Sequence, residues 1–346
     1  MPPEKLAMRQ IAKLALEETL NAHRLWLRSD GRDGRQADLS NMRLDEHDLT
    51  GARLEQANLA GASLIGAVLR LAKLQGAALT GANLTRTNLG QADLTGAELS
   101  GAILQEASLP RVPLDNAEMS RANLRGANLE GASLRKVKLS HARGRGAVLK
   151  RADLSGAILD AAEFKESSFA AANLEGAYLN QADLSGSDLS GTDLHGVVLE
   201  GADLQACKLV GARMQDANMR EVRLDGADMR ECDLTGATLF RASFRGAILE
   251  DAIIGNVAAQ EADFEGAKLA GVDFFSAQLQ SANFRDADLS EANLKLARLR
   301  RADFRGAKLE WAKGLTPTEL CKALLDERTK LSGSTRAVMA KLAGKA

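Results

Sequence analysis

The stretch Ala182-Asp183-Leu184-Ser185-Gly186-Ser187-Asp188-Leu189-Ser190-Gly191 is one five-residue phrase written twice with a single change. Working outward from it, the phase never breaks. From Leu39 to Leu309, every residue whose number ends in 4 or 9 belongs to one series of 55 members: 41 Leu, 7 Phe, 4 Met, Ile254, Gly144 and Ala259. Two residues before each lies a second series, Ala in 41 of its 55 places; Met42 and His47 are its large exceptions. The position between the two is Asp or Asn 23 times, and Gly stands two residues after the large residue 23 times. So regular a pattern is the mark of a repeat architecture.

A period of five excludes a helix, because five residues advance about 500° around an α-helix and leave no stripe. In an extended segment Ala and Leu, two apart, point the same way and the Asp or Asn between them points away. Five is odd, so a straight strand would throw the next Leu to the opposite face. The chain must therefore turn once per repeat, and the frequent Gly supplies the positive φ that a type II turn needs at its third position. Short extended steps joined by corners and wound into a coil satisfy these demands. The number of sides comes from Phe244, Phe264, Phe284 and Phe304, spaced by twenty. Four sides would stack them in one column at about 4.8 Å per coil. Phe164 and Gly144 fall in the same column, a large residue next to a missing one, which is a plausible volume compensation.

These Ala-(Asp/Asn)-Leu-x-Gly units resemble the pentapeptide-repeat proteins over residues 37–311, about four fifths of the chain. The resemblance implies an all-β solenoid, a right-handed quadrilateral parallel β-helix with large residues and Ala alternating inside. Fifty-five repeats give about 14 coils and a rod of roughly 65 Å. Some members of that family resemble duplex DNA in width and charge and bind type II topoisomerases such as DNA gyrase.

A coil of this kind exposes backbone and Leu at both ends and needs caps. Residues 1–36 are read as an N-terminal helical cap. Ile11, Leu14, Ala15, Ala22, Leu25 and Trp26 follow helical spacing within residues 4–28, Glu18 is the defect, and Gly31 is the stop. Residues 312–346 are read as a C-terminal cap. Thr316-Pro317-Thr318-Glu319 is a capping-box start with Pro at the first helical position, so the spacing predicts a helix to about Leu325 and another over Ser334–Leu342.

The chain has 346 residues, 45 basic against 46 acidic, and a formal net charge of -1. That balance argues against broad attraction to nucleic acid or membrane, and direct nucleic-acid binding is not expected. Seven basic and five acidic residues precede Ala37, and seven and three follow Trp311, which leaves 31 basic and 38 acidic residues in the repeats, net -7. No apolar run reaches the roughly 20 residues of a membrane span, and the N-terminus lacks a signal-peptide core. The three cysteines are too scattered for a disulfide framework or zinc ribbon. A soluble protein of the bacterial cytoplasm is expected.

No catalytic constellation, metal site or cofactor motif emerges, so no enzyme activity and no cofactor are expected. His141 and His195 fall at corners and read as exposed. His47 takes an Ala-type place, where a polar contact with the N-terminal cap is its reading. Cys207 and Cys232 read as small buried fillers. Two charged stretches exceed the background. Arg135, Lys136, Lys138, Arg143, Arg145, Lys150 and Arg151 crowd together without an acid, a candidate basic patch. Glu175, Asp183, Asp188, Asp193, Glu200 and Asp203 follow without a basic residue among them. The polar middle position becomes Ile158, Tyr178 and Val198, twenty apart, and these should share one outer face. A contiguous apolar column marks a contact surface more often than isolated apolar residues do. Ile158, Tyr178 and Val198 with Asp183, Asp188, Asp193 and Asp203 are therefore the candidate protein-contact residues, toward a partner or a second copy. The function expected is a noncatalytic interaction scaffold. The alternative, drawn from the resemblance, is a DNA mimic that modulates or protects a type II topoisomerase; net -7 with a basic cluster inside supports it weakly.

Overall fold

The computed structural model describes residues 3–333, and side chains from Leu14 onward. The chain divides into two compact units, Met1–Asp153 and Leu154–Ala346. In each, the repeats form a β-helix in which every five-residue step lends one residue to a parallel bridge. The partners are twenty residues apart: Asp38 with Asn58 and Ser63 with Asn83 in the first unit, Asp183 with Asp203 and Asp263 with Asn283 in the second. Twenty residues per turn means four sides. A bridge carries two bonds; between Asp38 and Asn58 they run from the Leu39 amide to the Asn58 carbonyl at 2.7 Å and from the Asn58 amide to the Ala37 carbonyl at 2.9 Å. Pro113 has no amide to give, and the rung expected between Asp93 and Pro113 keeps only the bond from the Leu94 amide to the Pro113 carbonyl, 2.9 Å.

Corners generally close by a turn bond from the Ala-type amide to the carbonyl of the large residue three before it, as from Ala182 to Leu179 at 3.1 Å. The third turn residue has positive φ, as a type II turn requires. Gly186 meets the demand at 71°, but so do Ala161 at 53°, Leu296 at 61° and Trp311 at 63°. The left-handed region costs a residue with a Cβ roughly 1–2 kcal/mol. At Ala161 the local bond to the Asn180 carbonyl, 2.8 Å, helps hold that shape.

Both inward series are buried except at Met42 and His47 in the first coil, with Leu184 and Ala182 at 1% exposure. Phe244, Phe264, Phe284 and Phe304 stack at centroid distances of 4.8, 4.9 and 5.0 Å, nearly parallel, and Phe274 meets Phe264 and Phe284 edge-on at 5.8 Å. Four buried polar residues at Ala-type places are satisfied in one way. Thr87, Ser187, Thr192 and Cys207 each donate to the carbonyl of the large residue 23 earlier, at 2.7–3.0 Å. A buried hydroxyl or thiol with such a partner avoids the cost of an unmade bond.

The helix α1 spans Pro3–Arg28. Its buried stripe is only partly the expected one: Ala22 and Trp26 are half-buried, but the stripe is centred elsewhere. Leu16 and His23 are buried and Leu20 and Leu27 half-buried, whereas Leu14 and Leu25 are 58% and 50% exposed; the Ile11 side chain lies outside the described residues. Counting only apolar residues favours the wrong face, because the residue at its centre is a histidine. The His23 ring stacks on Trp26 at 5.6 Å, and its Nδ1 accepts the Ala37 amide at 3.1 Å. The helix ends with Asp30 at φ 51° and the Gly31 amide bonded to the Trp26 carbonyl at 2.9 Å. At Gly34 (φ 80°) a Cβ would meet the Ala22 carbonyl at 2.2 Å, so the chain passes α1 only as glycine.

In the second unit Lys308–Leu309 form β1, and Pro317–Leu320 form a single-turn helix, α2, with Thr316 as N-cap. The helix stops well before the expected Leu325. The chain instead rejoins the ladder, Leu324 bridging Asp303 in parallel and Lys330–Leu331 pairing as β2 with β1. The expected helix at Ser334–Leu342 lies outside the described residues.

Candidate protein-contact faces

Ile158, Tyr178 and Val198 lie on one side of the second unit, each bridged to the next in parallel register. Middle-position side chains point out of the coil by the strand alternation. Tyr178 is 47% exposed, and its two neighbours are half-buried. Beyond Val198 the same column continues as Asn218, Thr238, Ala258 and Gln278. Seven uncharged outward residues thus run in a row on a chain that is 26% charged. The reading from sequence found the first three and missed the following four, which are ordinary polar residues singly and distinctive only as a row.

The acids do not join that side. Asp183 and Asp203 share a second side, and Asp188 and Asp193 occupy the remaining two. Nor are three of them free of cations, as the sequence window suggested. Lys165 reaches Asp183 at 2.6 Å, Arg213 reaches Asp193 at 3.2 Å and Arg223 reaches Asp203 at 3.0 Å. Residues 18 or 20 apart in sequence are neighbours here, and the cations bounding the stretch fold onto it. Burial pushes the Asp183 carboxyl up, but the bonds from Lys165, the Ser185 hydroxyl and the Ser185 amide outweigh it and hold the group below the usual carboxylate range. Each of these aspartates also accepts the amide two residues on, Ser185, Ser190, His195 or Gln205, at 3.0–3.1 Å. That Asx-type bond explains the repeat's preference for Asp and Asn.

The basic patch belongs to the first unit and divides in two. Arg135 grips Asp115 through Nε at 3.1 Å and its terminal nitrogen at 2.5 Å, and Lys138 pairs with Glu118 at 3.1 Å. Both acids sit one turn earlier, beyond any sequence window. Arg143 and Lys136 are exposed and enter no ion pair among the described residues; Arg145, Lys150 and Arg151 are also exposed.

Among the described residues no group of three or more His, Cys, Asp or Glu side chains is arranged to hold a metal ion, and no helix is long and apolar enough to cross a membrane. His141 is exposed, whereas His195 is half-buried. The His47 ring meets the Asp45 carbonyl at 3.0 Å; its expected contact with α1 is replaced by this local one, and His23 makes the polar contact between helix and coil. Cys207 and Cys232 are buried, and burial pushes both thiols up to about 12.

A search of curated proteins gives no significant match. Among solved structures the chain is similar to HetL, a pentapeptide repeat protein involved in heterocyst differentiation regulation from the cyanobacterium Nostoc sp. strain PCC 7120. That likeness has 29% identity, 65% of this chain and 87% of that one covered, and a TM-score of 0.30. It is also similar to full-length QnrB1, a plasmid-mediated fluoroquinolone resistance protein, with 20% identity, 53% and 97% coverage and a TM-score of 0.23. Rfr23, a pentapeptide repeat protein of the cyanobacterium Cyanothece 51142, shares 23% identity over 36% of this chain and 91% of its own, with a TM-score of 0.21. The profile of "Pentapeptide repeats (8 copies)" matches eleven segments, from residues 35–70 to residues 277–313. With the unbroken five-residue phase and the twenty-residue bridge register, these matches establish that the chain belongs to the pentapeptide-repeat family.

Proposed function

We propose that the protein is a noncatalytic scaffold of the cytoplasm that binds another protein, or a second copy of itself, through the outer sides of its coil. In this reading the repeats over residues 37–311 form a right-handed helix of about 14 coils, 55 repeats at four to a coil. Residues 1–36 and 312–346 close its ends. Support for the closures comes from the Ala37 amide held by His23 and from Leu324 bridging Asp303. Exposed coil ends would otherwise invite edge-to-edge pairing.

One observation carries the contact reading: Ile158, Tyr178 and Val198 stand in direct parallel register on one side, with Tyr178 47% exposed. A flat row without charge avoids the desolvation penalty that charged groups bring to an interface centre. Tyr178, with a large ring and a polar tip, is the anchor. The acids Asp183, Asp188, Asp193 and Asp203 form the charged surroundings on the other sides. Tyr178→Ala should keep the melting temperature while losing association, read by sedimentation velocity and by co-purification from the native host. Unchanged sedimentation together with an unchanged set of co-purifying proteins refutes the assignment.

The topoisomerase reading is disfavoured by the ion pairs of Asp183, Asp193 and Asp203, since a mimic of phosphates must leave its charges unmatched. The purified protein is expected to leave gyrase supercoiling unchanged. Inhibition or protection in that assay would restore the alternative.

A further inference from the structure

Some cations on the outer surface of this protein meet an acid one turn away. Arg135 pairs with Asp115, Lys138 with Glu118, Arg213 with Asp193, Arg241 with Glu261 and Lys308 with Asp288, each twenty residues apart. On one side of the first unit three arginines share a groove without such a partner among the described residues. Arg121, Asn123, Arg125, His141 and Arg143 line a surface groove of about 430 Å³. The register places Asn123 directly beneath Arg143 as its floor. Arg121 and His141 occupy the corner on one flank, and Arg125 the corner on the other.

The residues one turn earlier in these columns are Gly101, Ile103 and Gln105, none of which can neutralise a guanidinium. Arg121, Arg125 and Arg143 are exposed and make no ion pair among the described residues. Two nearby acids have other partners. Glu118 is bonded to Lys138 and Ser120, and Glu106, at the corner beneath Gly126, accepts a bond from the Gln105 side-chain NH₂ at 3.4 Å. Asn123 spends its carbonyl on the Arg125 amide at 3.2 Å, which leaves its side-chain NH₂ to donate outward.

We infer that this groove binds a short phosphate chain of pyrophosphate size, held by the guanidinium groups of Arg121, Arg125 and Arg143 and by the Asn123 amide. Guanidinium is planar and offers paired donors that match two phosphate oxygens, and its weak hydration makes transfer to such a ligand cheap relative to an ammonium. Three of them converging on two coils, about 4.8 Å apart, exceed what one carboxylate needs and suit an anion with charge on adjacent groups. The same chemistry is presented by inorganic pyrophosphate and by the diphosphate of a nucleotide. The lining offers no Phe, Tyr or Trp on which a base would stack, so the phosphate chain, not the base, is the recognised part. This site is independent of the uncharged row in the second unit.

The test is titration calorimetry of the full chain with sodium pyrophosphate at low salt, repeated with ADP. Saturable binding to one site is expected. Arg143→Ala and Arg125→Ala should each weaken it at least tenfold, and Arg143→Glu should abolish it. Arg135→Ala, equally cationic but committed to Asp115, should stay within twofold of the parent. ADP within threefold of pyrophosphate confirms that the phosphates are read; ADP more than tenfold tighter overturns that part of the inference. Absence of saturable binding by the parent chain, or equal losses in Arg135→Ala and Arg143→Ala, overturns the site itself. Thermal melts of each variant confirm the fold, and because every substituted side chain is exposed they should overlay.

Discussion

Phe264, like Phe284, has three ring neighbours in the aromatic column, and replacing it separates ring packing from burial. It is fully buried, with Phe244 at 4.8 Å and Phe284 at 4.9 Å stacked on its two faces and Phe274 edge-on at 5.8 Å. Truncating a buried Phe to Ala costs about 3–5 kcal/mol. Each aromatic pair contributes about 0.5–1.5 kcal/mol beyond its buried area, so three pairs set an upper bound of about 4.5 kcal/mol. The pairs share one ring and do not add fully. Leu is the repeat's usual residue here, so Phe264→Leu keeps the burial and loses only the ring contacts, about 1–3 kcal/mol. At Phe304 one stacked neighbour is present, Phe284 at 5.0 Å, and Phe304→Leu should cost about 0.5–1.5 kcal/mol. A solenoid can open coil by coil, so a global melt averages these effects. Native-state hydrogen exchange reads them locally, at the amides of Phe244 and Phe264 that donate to Asp263 and Asn283 at 2.7 Å. Protection lost equally in Phe264→Leu and Phe304→Leu, or unchanged in Phe264→Leu, would show that the rings act only as volume.

Leu184→Asp places an unpaired carboxylate where a Leu is 1% exposed and should lower the melting temperature severely, since burial of that side chain alone is worth about 1.5–3 kcal/mol. Asp183→Ala, one residue away, loses the Lys165 pair and the Ser185 bonds and should cost much less; equal losses would remove the inside–outside assignment. Burial lowers the His23 pKa below its ordinary 6.5, against the raising influence of Glu55. The unfolded chain therefore takes the proton first, so His23's contribution is complete above pH 6.5 and declines as pH falls toward the folded value. Protonated Nδ1 also cannot accept the Ala37 amide. Thermal melts from pH 7.5 to 5 should show a decline that His23→Gln lacks, and identical slopes would refute it. Iodoacetamide on the native protein at pH 8 should modify exposed Cys321 and spare Cys207 and Cys232, whose thiols burial pushes up to about 12; mass spectrometry showing rapid labelling at Cys207 would contradict that burial.

The coil was legible because inward positions repeat in local sequence, and its four sides because Phe244 to Phe304 mark every twentieth residue. What escaped was contact between neighbouring turns. Arg135 and Asp115 are twenty residues apart, as are Asp203 and Arg223, so a basic or acidic run along the chain says little about charge on the surface. The stripe of α1 was misplaced because His23 satisfies one nitrogen with a backbone amide and fills an apolar slot, a role invisible to hydrophobic spacing. Helix α2 was overextended because Thr316 and Pro317 signal where a helix begins, whereas its end is set by the pairing of Leu324 with Asp303 in the existing ladder.

The twenty-residue register also dictates what insertions and deletions do within either unit. Removing five residues leaves the next Leu in phase and the interior intact, but turns every later outward residue by one side. A deletion of that length between Tyr178 and Val198 would split the uncharged row while the coil stayed folded. Removing twenty instead shortens the coil by one turn and returns each side to its own column. Length changes in fives therefore act as a quarter-turn dial on the surface, so such a protein can rearrange its outer pattern by slippage of a repeat without a single side-chain substitution.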